Sequence, residues 1–472
     1  MVLLNVHMTH FNKLFHWTRL LNGGCLRKKQ TVNSLRKSPT SVRIALFGFY
    51  GYGNLGDAAI QETAIQGFKR IVPNPSIWGV SLNPADTRKR HNIPSFPIYR
   101  TNYDENFFQE NMENKKKTFE AIKERIKGIR LLYEIAKFLR RRFRPITSFE
   151  NELLFLLKIY NFLKNFDFLI ISGGGAVDEY WGGPWRHPYA FFKWAVMCKI
   201  AGSKLIVVSV GVGSIRSKLS RFFYKRGLAI ASYRSFRDNG SRRLVERMGI
   251  RGEQYIYPDL AFGFQVSNKI KFTQPLSDKR IIGIGPLPYF DPRVWPEKGL
   301  IRYNNYLDKL ASFVLWLIRN EFTALFLCGE TSHDPPVISD LRQKIIGLDK
   351  NISEERLIDQ VILTVEDLLS QIALTEMVIT SRFHGVVLAQ ILYKPVIAIS
   401  YDRKVYALME EMGQSKLCLD VDGFDQESLI EKFIWLQENC ETTKAEIINY
   451  VCTKRTMVES QFDRLKNILC SR

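Results

Sequence analysis

The sequence predicts an α/β protein built from two doubly wound domains of parallel sheet. Hydrophobic, strand-like runs alternate with helical patterns along most of its 472 residues, which is typical of parallel sheets. A polar stretch at 266–279 contains a proline and divides this alternation into two series. A chain of this length also exceeds what one ordinary hydrophobic core accommodates. We therefore expect a first domain over 41–265, a linker over 266–279 and a second domain over 280–472, facing each other across a cleft.

The first series begins with a buried strand over 43–49, which leads into a glycine-rich loop and an amphipathic helix over 58–71. Residues 100–165 interrupt the rhythm with polar and basic helical sequence, and we interpret them as an insertion. The remaining elements are, in chain order, the segments SIWGVSL and FDFLIISGGG, a helix from about 189, KLIVVSVGVGS, a helix over about 217–231, YRSFRDNGS, a helix ending at MGI and the short segment YIYPDLAFGF.

The second series places further strands where a ligand would bind. Ligands of doubly wound sheets bind beyond the carboxyl ends of the strands, so two facing sheets would bind theirs in the cleft between them. The elements are, in chain order, the strand RIIGIGPLPYF, a helix over 302–320, the strand FTALFLCGE, a helix over 336–346, the strand VILTV, a helix over 366–373, the strand MVITSRFHG, a helix from about 385, the strand PVIAISY and further helices.

The charge of the chain indicates an anionic partner. The net charge is +21 and the pI is near 9.6. Residues 115–144 carry twelve Lys/Arg against three Glu, and Ile122, Ile126 and Ile129 recur there at helical spacing. Such a basic amphipathic helix either lies on an anionic membrane or packs on its own domain with a solvated basic back, and both interpretations stay open. Residues 1–40 are expected to form a basic N-terminal extension.

The cysteines and the hydropathy pattern favour a cytoplasmic protein. The seven cysteines are scattered, without a C-x-x-C pair or metal-ligand spacing, which is typical of reduced thiols. Charged residues interrupt the two longest apolar runs, so none has transmembrane length. The N-terminus lacks the positively charged segment followed by an apolar segment that is typical of a signal peptide. If residues 115–144 bind lipid, the protein would lie peripherally on the inner face of the plasma membrane. No metal and no nucleic acid are expected.

The loop over 51–56 contains a G-x-G-x-x-G. Glycines at such a turn let a ligand approach the N-terminus of the following helix. A dinucleotide site also needs an acidic residue at the end of the next strand, but that strand ends in Asn83-Pro84. Asp57, which we expect to cap the helix, would put negative charge where a pyrophosphate should bind. The motif therefore predicts a loop that shapes the cleft and no nucleotide site.

Several polar residues follow strands at the expected cleft. Arg382 and His384 lie at a strand-to-helix turn, where a fixed cation beside a titratable group can hold a phosphate or carboxylate and deliver a proton. An arginine bridged to a neighbouring acid and a histidine capping the helix explain the pattern equally well. Arg237 is either a cation for such a ligand or part of a plain turn pair with Asp238, and Lys404 is either a third cation or a surface lysine. His187 lies among aromatic residues, where a structural histidine is as plausible as a ligand.

Taken in order, these motifs resemble those of the polysaccharide pyruvyl transferases. GFYGYGNLGDAAI resembles the family's opening loop, ISGGG its second, VSVGVGS its third and SFRDNGS its Arg-Asp element. PDLAF is similar to the Asp-containing close of the first domain, and MVITSRFHGVVLAQILYKPVIAISYDRKV to the Arg-x-His block and its tail. The resemblance runs from about 42 to 413, apart from most of 100–165. It implies a GT-B-like fold and transfer of a pyruvyl group from phosphoenolpyruvate to sugar hydroxyls as a ketal.

The resemblance also implies roles for individual residues. His384 would be the proton donor, while Arg237 and Arg382 would bind the phosphate and carboxylate of phosphoenolpyruvate. No cofactor is implied, since phosphoenolpyruvate is a substrate. The acceptor would be an exopolysaccharide, a cell-surface glycan or its lipid-linked precursor. Phe383 stands where the family usually has Leu. The further substrate-binding residues implied are Phe383, His187, Lys404, Gly53, Asn54, Gly56, Asp57, Gly174 and Gly175.

Two other functions stay open. A GT-B glycosyltransferase using a nucleotide sugar shares the architecture, although the retaining enzymes usually carry glutamates after a glycine-rich turn, and no acid lies between His384 and Pro395. A basic membrane- or nucleic-acid-associated binding protein would account for the charge, but that charge is concentrated in one segment without zinc spacing. Within the pyruvyl transferase reading, Asp178 or Glu179 is a candidate base for the acceptor hydroxyl.

Overall fold

The computed structural model describes residues 41–100, 151–180, 182–267, 280–295, 297 and 299–470. The expected N-terminal extension, the basic segment 115–144 and most of the expected linker lie outside these residues. The described chain forms two sheets in which every paired strand is parallel. The prediction of two doubly wound α/β halves is therefore confirmed. We call them the first and the second lobe.

The first lobe is built around a seven-stranded sheet. Its strands are β1 (Arg43–Phe47), β2 (Ser76–Ser81), β3 (Ser95–Pro97), β4 (Phe168–Ser172), β5 (Lys204–Val210), β6 (Tyr233–Phe236) and β7 (Tyr255–Ile256). Its helices are α1 (Leu55–Ile71), α2 (Pro84–His91), α3 (described over 151–163), α4 (His187–Ile200), α5 (Lys218–Ile230) and α6 (Asn239–Arg247), followed by the 3₁₀ helix Leu260–Gly263. The order β3-β2-β1-β4-β5-β6-β7 changes direction between β1 and β4, where such sheets bind ligands.

The second lobe is built around a six-stranded sheet. Its strands are β8 (Ile281–Gly285), β9 (Thr323–Phe326), β10 (Leu357–Asp359), β11 (Met377–Thr380), β12 (Val396–Ser400) and β13 (Cys418–Asp420). Its helices are α7 (Leu300–Arg319), α8 (Asp334–Leu348), α9 (Val365–Ala373), α10 (Phe383–Ile391), α11 (Arg403–Glu411), α12 (Gln426–Glu438) and α13 (Cys440–Cys470). The order β10-β9-β8-β11-β12-β13 changes direction between β8 and β11.

The first turn of α1 differs from the sequence expectation. Asn54 caps this helix, because its side-chain oxygen accepts from the N–H groups of Gly56 and Asp57 at 3.0 and 3.2 Å. The prediction that Asp57 is the cap is wrong. Asp57 lies inside the first turn, where a negative charge is stabilised by the positive end of the helix dipole.

One strand of the second sheet also lies elsewhere than expected. The segment VILTV, 361–365, was expected to form it, but β10 ends at Asp359 and pairs with β9. Val361 and Leu363 are 82% and 59% exposed, so the apolar letters do not mark a buried strand. Thr364 and Asp367 form a capping box that starts α9 at Val365, which leaves 361–364 as a loop.

Helix α13 returns from the second lobe to pack on the first. Gln461 is buried on it and bonds to two first-lobe serines, accepting from Ser209 Oγ at 2.9 Å and donating to Ser235 Oγ at 2.6 Å. Phe462 packs edge-on against Phe68 of α1, with ring centroids 5.5 Å apart. The last helix thus completes the core under the first sheet. Although α13 spans 31 residues, neither it nor another described helix is long and apolar enough to cross a membrane.

Candidate active site

Loops from both lobes converge on a cavity of about 100 Å³. The expected site residues in its wall are Asn54, Gly56, Gly175, Arg237, Arg382, Phe383, His384 and Lys404. Gly53, Asp57 and Gly174 are chain neighbours of lining residues, whereas His187 is not part of the wall. Sequence reasoning did not single out the remaining lining residues, which are Gly329, Leu368, Gly385, Leu388 and Tyr401.

The glycine-rich loop of the first lobe bonds directly to the loop that follows β9. Leu55 N–H donates to the carbonyl of Gly329 at 2.9 Å, and Thr331 N–H donates to the carbonyl of Gly53 at 2.9 Å. Asn54 and Glu330 form an isolated antiparallel bridge between these contacts. The G-x-G-x-x-G segment therefore joins the two lobes at the edge of the cavity.

Gly56 leaves the space that the imidazole of His384 occupies. A Cβ atom at position 56 would lie 2.0 Å from His384 Cγ, so only glycine lets α1 start this close to α10. His384 lies in the first turn of α10, where free backbone N–H groups and the helix dipole favour an anion. Its Nε2 is buried, makes no hydrogen bond among the described residues and lies 3.8 Å from Asp259 Oδ2.

Asp259 connects this histidine to the first-lobe arginine. It is 3% exposed, accepts from Ala261 N–H at 3.0 Å and accepts from Arg237 Nη1 at 3.2 Å. Burial raises the pKa of a carboxyl group, but the proximity of His384 and Arg237 brings the pKa of Asp259 below its ordinary value. Asp259 is therefore a buried carboxylate between two cleft residues from opposite lobes.

Arg237 lies against the ring of Phe383. Its Cζ is 4.3 Å from the ring centroid, a cation–π contact between the lobes. A Cβ at Gly211 would come within 2.5 Å of Arg237 Nε, so the third glycine-rich loop is shaped to admit this side chain. Among the described residues, this guanidinium makes one hydrogen bond, to Asp259, and a second, longer ion pair in which Nε lies 3.5 Å from Asp238 Oδ2.

Arg382, in contrast, is held by two carboxylates. Its Nε donates to the two oxygens of Asp334 at 3.0 and 2.8 Å, and its Nη2 bonds to Asp334 and lies 2.9 Å from Glu330 Oε2. Burial lowers the pKa of Arg382, but these two anions outweigh it and raise the pKa far above its ordinary value. The bridge to neighbouring acids that the sequence left open is thus present. Nη1 makes no hydrogen bond among the described residues.

Lys404 adds a further positive charge to the cavity wall. It lies in the first turn of α11, and its Nζ is 5.2 Å from the centroid of the Tyr401 ring. Burial lowers the pKa of this lysine, but Tyr401 and Asp402 raise it above the ordinary value, so Lys404 is charged. Within the described part of the chain it forms no ion pair with a carboxylate, which leaves it available to an anionic ligand.

Asp57 is half-buried beside the cavity and faces the second glycine-rich loop. Its Oδ1 would lie 3.3 Å from a Cβ at Gly174. Burial raises the pKa of Asp57 to about 6, with His384 lowering it and Glu330 raising it further. Burial therefore favours the neutral form of this carboxyl more than water would.

Two other candidates are engaged in local structure. His187 stacks on Phe49, with ring centroids 3.8 Å apart and planes at 15°, and burial together with Arg186 lowers its pKa to about 4. Glu179 accepts from the N–H of Ser217 at 2.9 Å and fixes the loop before α5. Of the two acids considered as the base for the acceptor, both accept from backbone N–H groups, Glu179 from Ser217 and Asp178 from Tyr180.

Comparisons with known proteins agree on family and fold. The family model for polysaccharide pyruvyl transferase matches residues 54–403, a span that includes Arg237, Arg382 and His384 and ends one residue before Lys404. A search of the curated proteins finds no match.

Among solved structures, the chain is similar to two UDP-GlcNAc 2-epimerases. The enzyme from Methanocaldococcus jannaschii has 11% identity and a TM-score of 0.52, covering 83% of this chain and 91% of that one. The enzyme from Neisseria meningitidis has 10% identity and a TM-score of 0.50, with coverages of 86% and 94%. S. aureus MnaA with UDP has 12% identity and a TM-score of 0.52, with coverages of 91% and 97%. These likenesses show the fold, and the GT-B-like architecture is confirmed.

Proposed function

The chain belongs to the polysaccharide pyruvyl transferase family, and from this premise we propose that it transfers a pyruvyl group from phosphoenolpyruvate to two hydroxyls of a sugar. One observation carries the proposal: a single cavity between the lobes brings together Arg237, Arg382, Lys404 and His384. Phosphoenolpyruvate has a phosphate and a carboxylate attached to the same carbon. Several cations and one proton donor around a small cavity suit that molecule.

The donor anion would be bound mainly by Arg237 and Lys404. Arg237 has one hydrogen bond within the described residues, and Lys404 forms no ion pair there, so both can donate to phosphate or carboxylate oxygens. Arg382 would contribute through Nη1, since Asp334 and Glu330 occupy its other side. The N-terminus of α10 would add backbone N–H groups to the same anion.

His384 would supply the proton for the methylene carbon. Its Nε2 makes no hydrogen bond among the described residues and lies 3.8 Å from Asp259 Oδ2, so this nitrogen is not committed to a protein partner. Protonation of that carbon makes the adjacent carbon electrophilic, and the first sugar hydroxyl adds there. The second hydroxyl then displaces the phosphate and closes the ketal. One hydroxyl proton restores His384 and the other leaves on the phosphate, so that protons and charge balance.

The proposal extends to the class of acceptor and to the place in the cell where the enzyme acts. The acceptor is a sugar of an exopolysaccharide or cell-surface glycan, or of its lipid-linked precursor at the inner face of the plasma membrane. The basic segment 115–144, which lies outside the described residues, would then hold the enzyme at the lipid surface. Deleting 115–144 should abolish binding to anionic vesicles, and unchanged binding would contradict the membrane role.

A ligand-binding measurement tests the donor. Thermal shifts with phosphoenolpyruvate, UDP-GlcNAc and NAD are compared for the wild type, Lys404→Ala and the exposed control Lys466→Ala. We expect stabilisation by phosphoenolpyruvate, retained in the control and reduced in Lys404→Ala. His384→Gln should keep this stabilisation and lose release of inorganic phosphate. Stabilisation by UDP-GlcNAc alone would instead assign the cleft to a nucleotide sugar.

A further inference from the structure

An aromatic surface continues from the wall of the cavity across the cleft. Tyr401 lines the cavity and packs edge-on against Trp295, with ring centroids 5.9 Å apart. Trp295 in turn packs against Tyr180, at 6.0 Å and 66°. Tyr180 follows β4 in the first lobe and is 40% exposed, whereas the other two rings belong to the second lobe. The three rings, here called the aromatic strip, therefore reach from the cavity to solvent.

Carboxylates border the aromatic strip. Asp178 precedes Tyr180 by two residues, and its Oδ1 accepts from Tyr180 N–H at 2.5 Å. Asp402 is exposed at the start of α11, next to Tyr401. Burial raises the pKa of Asp178, while Tyr180 N–H and Lys404 lower it and Asp402 raises it further, which places these groups in one electrostatic neighbourhood. Hydrogen-bond acceptors thus lie beside the aromatic strip, which itself begins at the cavity wall with Tyr401.

We propose that the aromatic strip and Asp178 form the subsite that binds the acceptor as a pyranose ring. One face of a pyranose presents C–H groups, which carry partial positive charge and pack on the negative face of an aromatic ring. Its hydroxyls lie around the edge and donate to carboxylates. A diphosphate would be repelled by Asp178 and Asp402, so the chemistry favours a neutral sugar over a nucleotide.

This inference rests on the proposed function, because the acceptor hydroxyls must reach the donor held in the cavity. Tyr401 meets that requirement, since it belongs to both the cavity wall and the aromatic strip. A sugar stacked on the strip would therefore lie next to the cavity wall at Tyr401, and His384 belongs to the same wall. Donor and acceptor would thus enter the cleft next to each other without competing for the same cations.

Sugar binding to the full-length protein tests the subsite. The probes are methyl pyranosides of glucose, galactose, mannose and N-acetylglucosamine. Their binding is measured by saturation-transfer NMR, with phosphoenolpyruvate present and absent. We expect at least one to bind saturably, with affinity falling about 3- to 10-fold in Tyr180→Ala and in Asp178→Asn. Phosphoenolpyruvate affinity should change less than twofold. Trp185→Ala is the matched control, because Trp185 is an exposed aromatic of the same lobe (66%) that packs on Tyr189 and Phe223 instead.

The outcomes separate the subsite from the donor assignment. If phosphoenolpyruvate binds but no pyranoside does, or if Trp185→Ala weakens sugar binding as much as Tyr180→Ala, the subsite is wrong and the proposed donor stands. If a pyranoside binds through Tyr180 while phosphoenolpyruvate does not bind the wild type, the subsite stands and the donor assignment is wrong.

Discussion

The two lobes place an arginine at the same cavity in opposite ways. Arg237 of the first lobe has one hydrogen bond within the described residues, to Asp259, and rests on the ring of Phe383. Arg382 of the second lobe is bound on two of its nitrogens by Asp334 and Glu330. Arg382 bonds to carboxylates through two of its nitrogens at short distance, whereas the ion pairs of Arg237 are longer, 3.2 Å to Asp259 and 3.5 Å to Asp238. Arg237 therefore keeps more of its hydrogen-bonding capacity for an anionic ligand.

The difference separates positioning from binding. Arg382 also fixes the loop after β9, because Asp334 accepts from the N–H groups of Gly329 and Glu330 at 2.8 Å while bonding to the arginine. That loop is the one joined to the glycine-rich loop of the first lobe. We therefore expect loss of Arg382 to affect stability first, and loss of Arg237 to affect donor binding first.

The largest expected effect is on the stability of Arg382→Ala. Removing this guanidinium leaves buried Asp334 and partly buried Glu330 without their cation, which costs about 3–5 kcal/mol of unfolding free energy. Arg237→Ala should cost less, because Asp259 keeps the N–H of Ala261 and the nearby His384. Urea unfolding at pH 7 measures both.

The double variant Arg382→Met with Asp334→Asn is the control for that comparison. It removes the positive charge together with one of its carboxylates, so it should recover part of the unfolding free energy that Arg382→Ala loses. Equal destabilisation by Arg382→Ala and Arg237→Ala would remove the distinction between the two arginines.

A second prediction concerns how the first lobe sets the position of His384. Gly56→Ala would put a methyl group within 2.0 Å of the imidazole and displace it, so turnover should fall on the order of 100-fold. Affinity for phosphoenolpyruvate should change little, because Arg237 and Lys404 stay in place. Gly347→Ala is the matched control, as a Cβ there has no atom of the described residues within 4 Å. A phosphate-release assay beside a binding titration checks this, and unchanged turnover would exclude a role of this contact in aligning His384.

A third prediction concerns the pH dependence of stability caused by His187, which lies outside the cavity wall. The pKa of His187 is lowered from 6.5 to about 4. Between pH 6.5 and pH 4 the unfolded chain therefore binds a proton at this histidine that the folded protein does not bind. Its contribution to stability is present above pH 6.5 and is lost as the pH falls to about 4. His187→Phe keeps the stack on Phe49 and should reduce the acid loss by on the order of 1–2 kcal/mol. Unfolding curves from pH 7 to pH 4 measure it, and identical slopes for both proteins would disprove it.

The smallest effect is expected at the ring beneath Arg237. Phe383→Leu removes the cation–π contact at 4.3 Å, worth about 0.5–1 kcal/mol, so donor affinity should weaken about 2- to 5-fold. Phe290→Leu, under Arg302 at 4.7 Å, makes the same change at a contact outside the cavity wall and should leave donor affinity unchanged. Isothermal titration with phosphoenolpyruvate resolves this difference, and equal affinities for Phe383→Leu and the wild type would show that the ring does not hold Arg237 for the donor.

The fold and the cationic wall of the cavity could be predicted from sequence, because strand ends and glycine-rich turns are local patterns. The partners of those cations could not. Asp334 lies 48 residues before Arg382 and Asp259 lies 22 residues after Arg237, so only the folded chain shows which acid meets which arginine. Val361 is also typical of a strand by its sequence. In the structure it is exposed, and it lies in the loop before Thr364, which caps the next helix.

The structural role of the glycines could not be predicted from the sequence either. Gly56 reads as part of a ligand-binding turn, yet its bare Cα makes room for an imidazole from the other lobe. His187 follows the second glycine-rich loop as a ligand would, but its ring stacks on Phe49. Spacing along the chain gives the position of a residue at a strand end, whereas the direction of its side chain depends on packing between distant segments.

Helix α13 has a consequence for how the protein is made. The strands of the first lobe are synthesised early, yet Ser209 and Ser235 bond to Gln461, which lies 252 and 226 residues later in the chain, and Phe68 packs on its neighbour Phe462. Ser209 also holds a positive φ of 49°, a conformation that needs such support. The half synthesised first is thus the half finished last. The core of the first lobe therefore stays incomplete until the second sheet and most of α13 have been synthesised.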